Sequence, residues 1–164
     1  MKYAFFGTCF EDGDILIACL KTIANQSIPP NEVVIIDSSN KNILRDQSLE
    51  IFKNLKTSLI YENINLPRVK ALNYAISKTN SDYVLRFDSR TRFDKYYAEE
   101  SLKLFKKINS NNEAFAAVGG LQTPIPANNS RTAKIASEIM GRAYIFGNPL
   151  YRRKNYSGKV NSIY

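Results

Sequence analysis

The chain has 164 residues, of which 44% are hydrophobic and 23% charged, so it is long enough for one domain with a single core and is not of the disordered type. No apolar run approaches the roughly 20 residues that a membrane-spanning helix needs. Histidine is absent from the sequence, which excludes Ser-His and Cys-His catalysis and every histidine-based metal site. Any metal would therefore be a hard cation held by carboxylates and by the ligand itself.

The net charge of +8 is unevenly distributed, because residues 131–164 contain seven basic side chains and one acid. A basic segment of this kind suits phosphate groups, an anionic membrane surface or nucleic acid, and it is equally compatible with a solvated surface. The two cysteines make a disulfide framework improbable and favour a reducing cytoplasm. Acids at positions 11, 12 and 14 follow the first apolar stretch too closely for a signal peptide.

The first half of the chain alternates between strand and helix patterns. The apolar positions Leu16, Cys19, Leu20 and Ile23 recur at helical spacing after Asp14, a suitable N-cap. The predicted elements are a strand over residues 2–6, a loop over 7–13, a helix capped by Asp14, a strand over 33–36 that ends on Asp37, a helix over 44–53 and a strand over 58–61.

The second half continues the alternation. The predicted elements are a helix that starts at Pro67 with a face of Val69, Leu72 and Ile76, a buried strand over 83–87 that ends on Asp88, a helix capped by Asp94 that runs to residue 108 with Tyr97, Leu104 and Ile108 on one side, and a strand over 114–118. Strands that alternate with helices predict an α/β fold with a mostly parallel, Rossmann-like sheet flanked by helices.

Two carboxylates close strands in this scheme. Asp37 and Asp88 each follow an apolar run directly, and Asp88 is also compatible with an ordinary turn-forming role. In parallel sheets, however, ligands collect at the carboxyl ends of the strands around the switch point. If the strands that end at Phe6, Asp37 and Asp88 are neighbours, both acids and the 7–13 loop line one crevice.

Common nucleotide signatures do not fit that crevice. A dinucleotide fingerprint needs closely spaced glycines after the first strand, whereas Gly7 and Gly13 are far apart with Phe10 between them. No P-loop sequence occurs. A response-regulator receiver needs acids after its first strand, which Glu11 and Asp12 could mimic, but the remainder of the chain does not match that pattern.

Several segments together resemble the inverting glycosyltransferases of family 2, which have the GT-A fold. Residues 28–39, IPPNEVVIIDSS, resemble the family's segment P-x-E-I-I-V-V-D-x-S, and residues 85–93, LRFDSRTRF, resemble its D-x-D strand end. The other similar segments are residues 18–20 with Gln26, the ALNYAI helix at 71–76, and, as in the bacterial exopolysaccharide branch, residues 118–122, 146–152 and 159–161.

This resemblance implies roles for individual residues. Asp37 would contact the uracil or ribose of a nucleotide-sugar donor, and Arg68 would belong to the same donor site. Thr8, with either Glu11 or Asp12, would cradle the base. Asp88 would be the first acid of D-x-D, near the ribose and a divalent cation, manganese or magnesium, which would neutralise the leaving diphosphate.

The sequence departs from the family pattern at position 90, where Arg90 replaces the second acid of D-x-D. A cation cannot ligate a metal ion, although arginine can clamp a phosphate with two hydrogen bonds. This replacement puts the metal in doubt. Arg90 either supplies part of the metal's charge or points away while Asp88 holds the ion, unless the site has decayed and Arg90 is ordinary surface.

The second departure concerns the catalytic base that deprotonates the acceptor in an inverting displacement. The family's acidic E-D motif is not found before Tyr164, and the catalytic residues are therefore unknown. We expect residues 1–164 to form one domain, with a nucleotide-binding half at 1–93 and an incomplete acceptor half at 94–164. The chain is then a C-terminally truncated, donor-binding part of a glycosyltransferase or, alternatively, a non-catalytic nucleotide-sugar-binding or assembly module.

The resemblance also implies the partners. They would be a nucleotide-diphosphate sugar such as a UDP-sugar and a polysaccharide or polyprenyl-linked acceptor. The basic segment at 131–159 predicts a peripheral contact with anionic lipid at the inner membrane face. Nucleic-acid binding rests on charge and ten tyrosines alone, without a motif, and is not expected.

Overall fold

A computed structural model describes residues 1–40, 44–110, 117–120 and 122–141 of the chain. The chain divides into two compact units, Met1–Leu102 and Lys103–Tyr164. The first unit contains an open sheet and the helices that cover it. The predicted strand over 114–118 falls largely on residues outside the described ranges.

The described elements alternate as the sequence pattern predicts. In chain order they are β1 (Tyr3–Cys9), α1 (Asp14–Ala24), β2 (Glu32–Asp37), α2 (Arg45–Phe52), β3 (Ser58–Asn63), α3 (Arg68–Ser77), β4 (Tyr83–Asp88), α4 (Tyr97–Ser110) and α5 (Arg131–Gly141).

The four strands form a parallel sheet in the order β3-β2-β1-β4. This order confirms the predicted α/β class, since helical crossovers connect parallel neighbours. It also confirms that the strands ending at Asp37 and Asp88 flank the first strand. β1 runs to Cys9 rather than to Phe6, so Gly7, Thr8 and Cys9 belong to the strand and not to the following loop.

One face of the sheet is covered by α3. Phe6, Val34 and Ile36 pack there against Ala71 and Ala75, which are wholly buried. Of the predicted face, Leu72 is partly buried and packs against this core, but the prediction is wrong for Val69, which is 70% exposed, and for Ile76, which is 43% exposed. The bulky strand residues supply the volume of this core, and the two alanines let the helix backbone approach the sheet closely.

α1 buries the four apolar side chains that its periodicity predicts: Leu16, Cys19, Leu20 and Ile23. Asp14 is not its N-cap. Gly13, with a φ of +50°, occupies that position and Asp14 is the first helical residue. A glycine is favoured there because an L side chain rarely adopts positive φ.

The buried side chain of Gln26 joins the end of α1 to the start of α4. Its amide nitrogen donates to the carbonyl oxygen of Asp94 at 2.7 Å, and its amide oxygen accepts from the backbone N–H of Ala98 at 2.9 Å. Phe93 packs between Phe5 and Tyr97, with ring centroids 5.1 and 5.0 Å away. A buried amide with both ends bonded fixes this junction without an unsatisfied polar group.

β4 and α4 differ in detail from the prediction. β4 buries Leu85 and Phe87 but leaves Val84 exposed, so it is covered on one face only. α4 buries Ala98 and Leu102, and the predicted apolar position Leu104 is 42% exposed. The carboxylate of Asp94 accepts from the backbone N–H of Tyr96 at 2.8 Å, in the turn before the helix rather than as its N-cap.

The described part of the second unit is dominated by α5. Ser130 precedes this helix, and its hydroxyl accepts from the backbone N–H of Ala133 at 3.2 Å. Ile135, Ile139 and Met140 are exposed. Among the described residues, no helix combines the length and the apolar composition needed to cross a bilayer.

The absence of a side chain at Gly7 allows β1 to pair closely with β4 beside Phe87. A Cβ atom added at Gly7 would lie 2.6 Å from the Phe87 ring and from its carbonyl oxygen. We predict that Gly7→Ala lowers the free energy of unfolding by about 1–3 kcal/mol, as overpacking does. Urea unfolding followed by circular dichroism measures this loss.

Gly141→Ala is the matched control, since the nearest heavy atom, Cδ of Pro124, lies 4.0 Å from the added Cβ. It should leave stability unchanged. Equal stability of the Gly7→Ala variant and the unsubstituted chain would contradict the tight pairing of the two strands.

Candidate functional site

The carboxyl ends of β1, β2 and β4 meet at one edge of the sheet, called here the carboxyl edge. Cys9 lies opposite Asp37 in the β1–β2 pair, and Thr8 lies opposite Asp88 in the β1–β4 pair. The two acids are therefore separated by β1 alone. The fold thus brings together the strand-end residues that the sequence singles out.

Asp37 is wholly buried, and both of its carboxylate oxygens are bonded. One accepts from the backbone N–H of Ser39 at 2.9 Å, and the other accepts from the Tyr61 hydroxyl at 2.6 Å. Burial raises the pKa of Tyr61 well above its ordinary value, and the hydrogen bond to Asp37 adds to this rise. Asp37 therefore supports the turn after β2, and its direct contact with a ligand stays a prediction.

The thiol of Cys9 lies beside this carboxylate. Burial raises its pKa far above the usual range, and the charge of Asp37 raises it further. The thiol is consequently neutral at physiological pH and is not an activated nucleophile, because nucleophilic cysteines need a lowered pKa.

Hydrogen bonds join the loops that follow β1, β2 and β3. The backbone N–H of Glu11 donates to the Ser39 hydroxyl at 2.7 Å. The side-chain amide of Asn63 donates to the carbonyl oxygens of Asp37 and Ser39 at 3.0 and 2.9 Å. These bonds tie the segments at the ends of three strands to one another. They form an ordered polar surface on the exposed loops, where binding residues commonly lie.

Side chains in the first loop point in different directions. The Asp12 carboxylate accepts from the backbone N–H of Phe10 at 3.2 Å and so bonds within its own loop. Glu11 is exposed and has a φ of +52°, and the Phe10 ring is 59% exposed. Backbone in this left-handed region is uncommon for residues other than glycine and is frequent at binding sites.

Asp88 lies in a different environment. Its side chain is 53% exposed, and one carboxylate oxygen accepts from Arg68 at 2.7 Å and from Arg86 at 3.1 Å. Arg86 also reaches the second oxygen, at 3.5 Å. Arg90 is exposed at the following turn. Two guanidinium groups therefore bond to one carboxylate at the β4 end of the carboxyl edge, and the segment that follows contains the further cation Arg90.

The sequence interpretation missed Arg86 and Phe10. The alternation of side chains along a strand was the available signal for Arg86, since residues 86 and 88 share a face. In the sequence, Phe10 only interrupts a possible glycine-rich fingerprint. Its exposure beside the ordered polar loops shows instead an aromatic face open to solvent at the carboxyl edge.

Comparison with known protein families identifies the family of this chain. The sequence profile of glycosyl transferase family 2 matches residues 7–153. The chain belongs to this family. The comparison with curated protein sequences gave no match.

Solved structures show the fold of this family 2 chain. The crystal structure of S. aureus TarS residues 1–349 in complex with UDP superposes with a TM-score of 0.56 at 20% identity and covers 80% of this chain and 43% of that one. TarS 1–349 in complex with UDP-GlcNAc gives a TM-score of 0.52 at 19% identity, with coverages of 92% and 48%. The fold is thus the GT-A glycosyltransferase fold, and the chain spans less than half of these two structures.

The GT-A resemblance raises the question of a divalent cation at Asp88. Both oxygens of Asp88 already lie near guanidinium groups, and position 90 contributes a third cation instead of a second acid. Within the described part of the chain, no group of three or more acidic or cysteine side chains could hold a metal ion. A hard cation needs several oxygen ligands, so the described residues do not fit one.

The bond between Tyr61 and Asp37 yields a stability prediction. Tyr61→Phe keeps the ring but removes the hydroxyl donor from a buried carboxylate. We expect the free energy of unfolding to fall by about 1.5–3 kcal/mol, the range for hydrogen bonds to charged groups. Tyr96→Phe, at a ring that is 54% exposed, serves as the control and should have no effect.

The same variant should change the pH dependence of stability. The pKa of Tyr61 is raised above its ordinary 10.0 in the folded chain. The stability that the protonated hydroxyl contributes is therefore fully present below pH 10. Above that pH the unfolded chain loses the proton first, and stability falls by up to about 1.4 kcal/mol per pH unit. Tyr61→Phe should make the decline shallower, and an unchanged slope with unchanged stability would contradict the bond.

Proposed function

We propose that this chain binds a nucleotide-diphosphate sugar and, as part of a family 2 glycosyltransferase, takes part in transfer of the sugar to a polysaccharide or lipid-linked acceptor. The observation that carries the proposal is the division of the carboxyl edge into two chemically different parts. One part, at β1–β3, offers hydrogen-bonding groups and an aromatic ring. The other, at β4, offers cations.

The β1–β3 part suits a nucleoside. The loops that contain Glu11 and Ser39 are held together by a direct hydrogen bond, and Thr8 is partly accessible at the centre of the edge. Phe10 provides an exposed ring on which a base could stack. Stacking on an aromatic side chain contributes about 1–3 kcal/mol per base and requires no particular charge. We therefore propose that Glu11 and Thr8 belong to the donor site.

The β4 part suits a diphosphate. Arg68 and Arg86 bond to Asp88, Arg90 follows two residues later, and guanidinium groups form paired hydrogen bonds with phosphate oxygens. A ligand that has a neutral planar head and an anionic tail matches both parts at once. The two TarS structures that share this fold contain UDP and UDP-GlcNAc, which supports a uridine nucleotide as the head group.

Transfer itself requires groups beyond donor binding. The acceptor hydroxyl attacks the anomeric carbon, the nucleoside diphosphate leaves, and a base removes the hydroxyl proton. No residue within the described ranges is assigned as that base. The alternative function, a nucleotide-sugar-binding or assembly module without turnover, is favoured by Arg90 in place of the second acid. Release of UDP from a UDP-sugar in the presence of acceptor separates the two functions.

The proposed place of action is the cytoplasmic face of an anionic membrane. Arg131 and Lys134 are exposed on α5 together with Ile135, Ile139 and Met140. Cations beside exposed apolar residues favour the surface of anionic bilayers. The chain should therefore sediment with vesicles that contain phosphatidylglycerol and be released by high salt. Equal sedimentation with neutral vesicles, or none with either, would contradict this contact.

Nucleoside binding is tested by calorimetric titration of uridine and UDP. Phe10→Ala should weaken both ligands by about tenfold, which corresponds to roughly 1.4 kcal/mol of lost stacking. Tyr96→Ala is the matched control, because the Tyr96 ring is similarly exposed. It follows Lys95, whose carbonyl oxygen accepts from the backbone N–H of Ser27, and Ser27 precedes β2 rather than following its carboxyl end. If Phe10→Ala binds both ligands as tightly as the unsubstituted chain, the stacking assignment is wrong.

A further inference from the structure

Asp88 and the two arginines bonded to it form a cluster whose charges do not cancel. Arg68 Nη2 lies 2.7 Å from the carboxylate, and Arg86 Nη2 lies 3.1 Å from the same oxygen. The two guanidinium groups carry two positive charges against the single negative charge of Asp88. Arg90, two residues later, adds a third cation. The cluster therefore has an unneutralised positive charge at the surface.

This arrangement opposes a divalent cation. A metal ion on Asp88 would approach oxygens that already accept from guanidinium groups, and it would meet like charge at distances where repulsion is strong. The position that would supply a second carboxylate contributes Arg90 instead. The residues that hold a metal in a D-x-D site are thus partly replaced by residues that repel one.

We propose that Arg68 and Arg86 supply the counter-charge for the donor's diphosphate in place of a divalent cation, so that diphosphate binding is independent of metal. This inference rests on the proposed nucleotide-sugar function and identifies the groups that serve its anionic half. Two arginines carry the same total charge as one manganese or magnesium ion. Their charge does not depend on pH in the physiological range.

The positions of the two arginines fit this role. Arg86 lies on the same strand face as Asp88, two residues earlier, and Arg68 is the first residue of α3. Their side chains are 48% and 65% exposed, so the guanidinium groups are open to an incoming anion. Because exposed ion pairs contribute about 0–1 kcal/mol, the bonds to Asp88 are weak enough to rearrange around a diphosphate.

The test is calorimetric titration of uridine, UDP and inorganic pyrophosphate in EDTA and again with manganese. The variants are Arg68→Gln and Arg86→Gln, and Lys21→Gln is the control, which removes the same charge from an exposed site in the last turn of α1. All three positions are exposed, and circular dichroism verifies that each variant folds.

UDP should bind at least tenfold more tightly than uridine in EDTA, and manganese should not increase this ratio. Each arginine variant should weaken UDP and pyrophosphate by about tenfold while uridine binding is unchanged. Lys21→Gln should bind all three ligands normally. Arg86→Lys, which keeps the charge but loses the planar fork, should have intermediate affinity.

Two results would overturn the inference: an advantage of UDP over uridine that requires manganese, or arginine variants that bind pyrophosphate as tightly as the unsubstituted chain. Failure of the nucleotide function is recognised separately. If uridine and UDP do not bind but pyrophosphate binds in EDTA and depends on Arg86, the arginine site stands and the nucleotide proposal is wrong. If pyrophosphate also fails to bind, both are wrong.

Discussion

Close parallel pairing of β1 with both β2 and β4 is the constraint on which the candidate site depends. Gly7 lies against Phe87 with no space for a Cβ atom, and this contact lets Thr8 align with Asp88. On the other side of β1, Cys9 aligns with Asp37. Because all three strands run in the same direction, their carboxyl ends form one surface, to which each contributes a different chemical group.

The two strand-end acids show how environment gives one residue type different roles. Asp37 is buried and bonded to a tyrosine hydroxyl and a backbone N–H, so it organises the loops around it. Asp88 is half exposed and bonded to Arg68 and Arg86, so it belongs to a charged surface. The division into an ordered polar part and a cationic part follows from this difference, and it matches the two ends of a nucleoside diphosphate.

Much of the fold was predictable from the sequence, because the parallel α/β pattern depends on apolar runs and turn residues that are local. The positions of Asp37 and Asp88 at strand ends followed from the same runs. The buried face of α3 was not predictable in this way, since Ala71 and Ala75 are buried for their small size rather than their hydrophobicity. Helical periodicity alone favours the larger side chains, of which Val69 and Ile76 are exposed and only Leu72 packs against the core.

The charged part of the site was harder to predict for a different reason. The pattern that ends in Asp88 directs attention to acids, and Arg86 lies inside the apolar run of β4. Alternation places residues 84, 86 and 88 on one face, but only the one-sided burial of the strand shows that this face is the exposed one. The cationic character of the β4 end thus depends on tertiary structure, although alternation along the strand indicated it.

Hydrogen exchange of the chain with and without UDP, followed by mass spectrometry of its peptides, tests the central claim most directly. We predict that UDP slows exchange in two separate regions, the loops at residues 9–13 and 37–40 and the segment around residues 86–92, and leaves the opposite ends of the strands unchanged. Protection confined to α5, or absent from both regions at saturating UDP, would contradict a nucleotide site at the carboxyl edge.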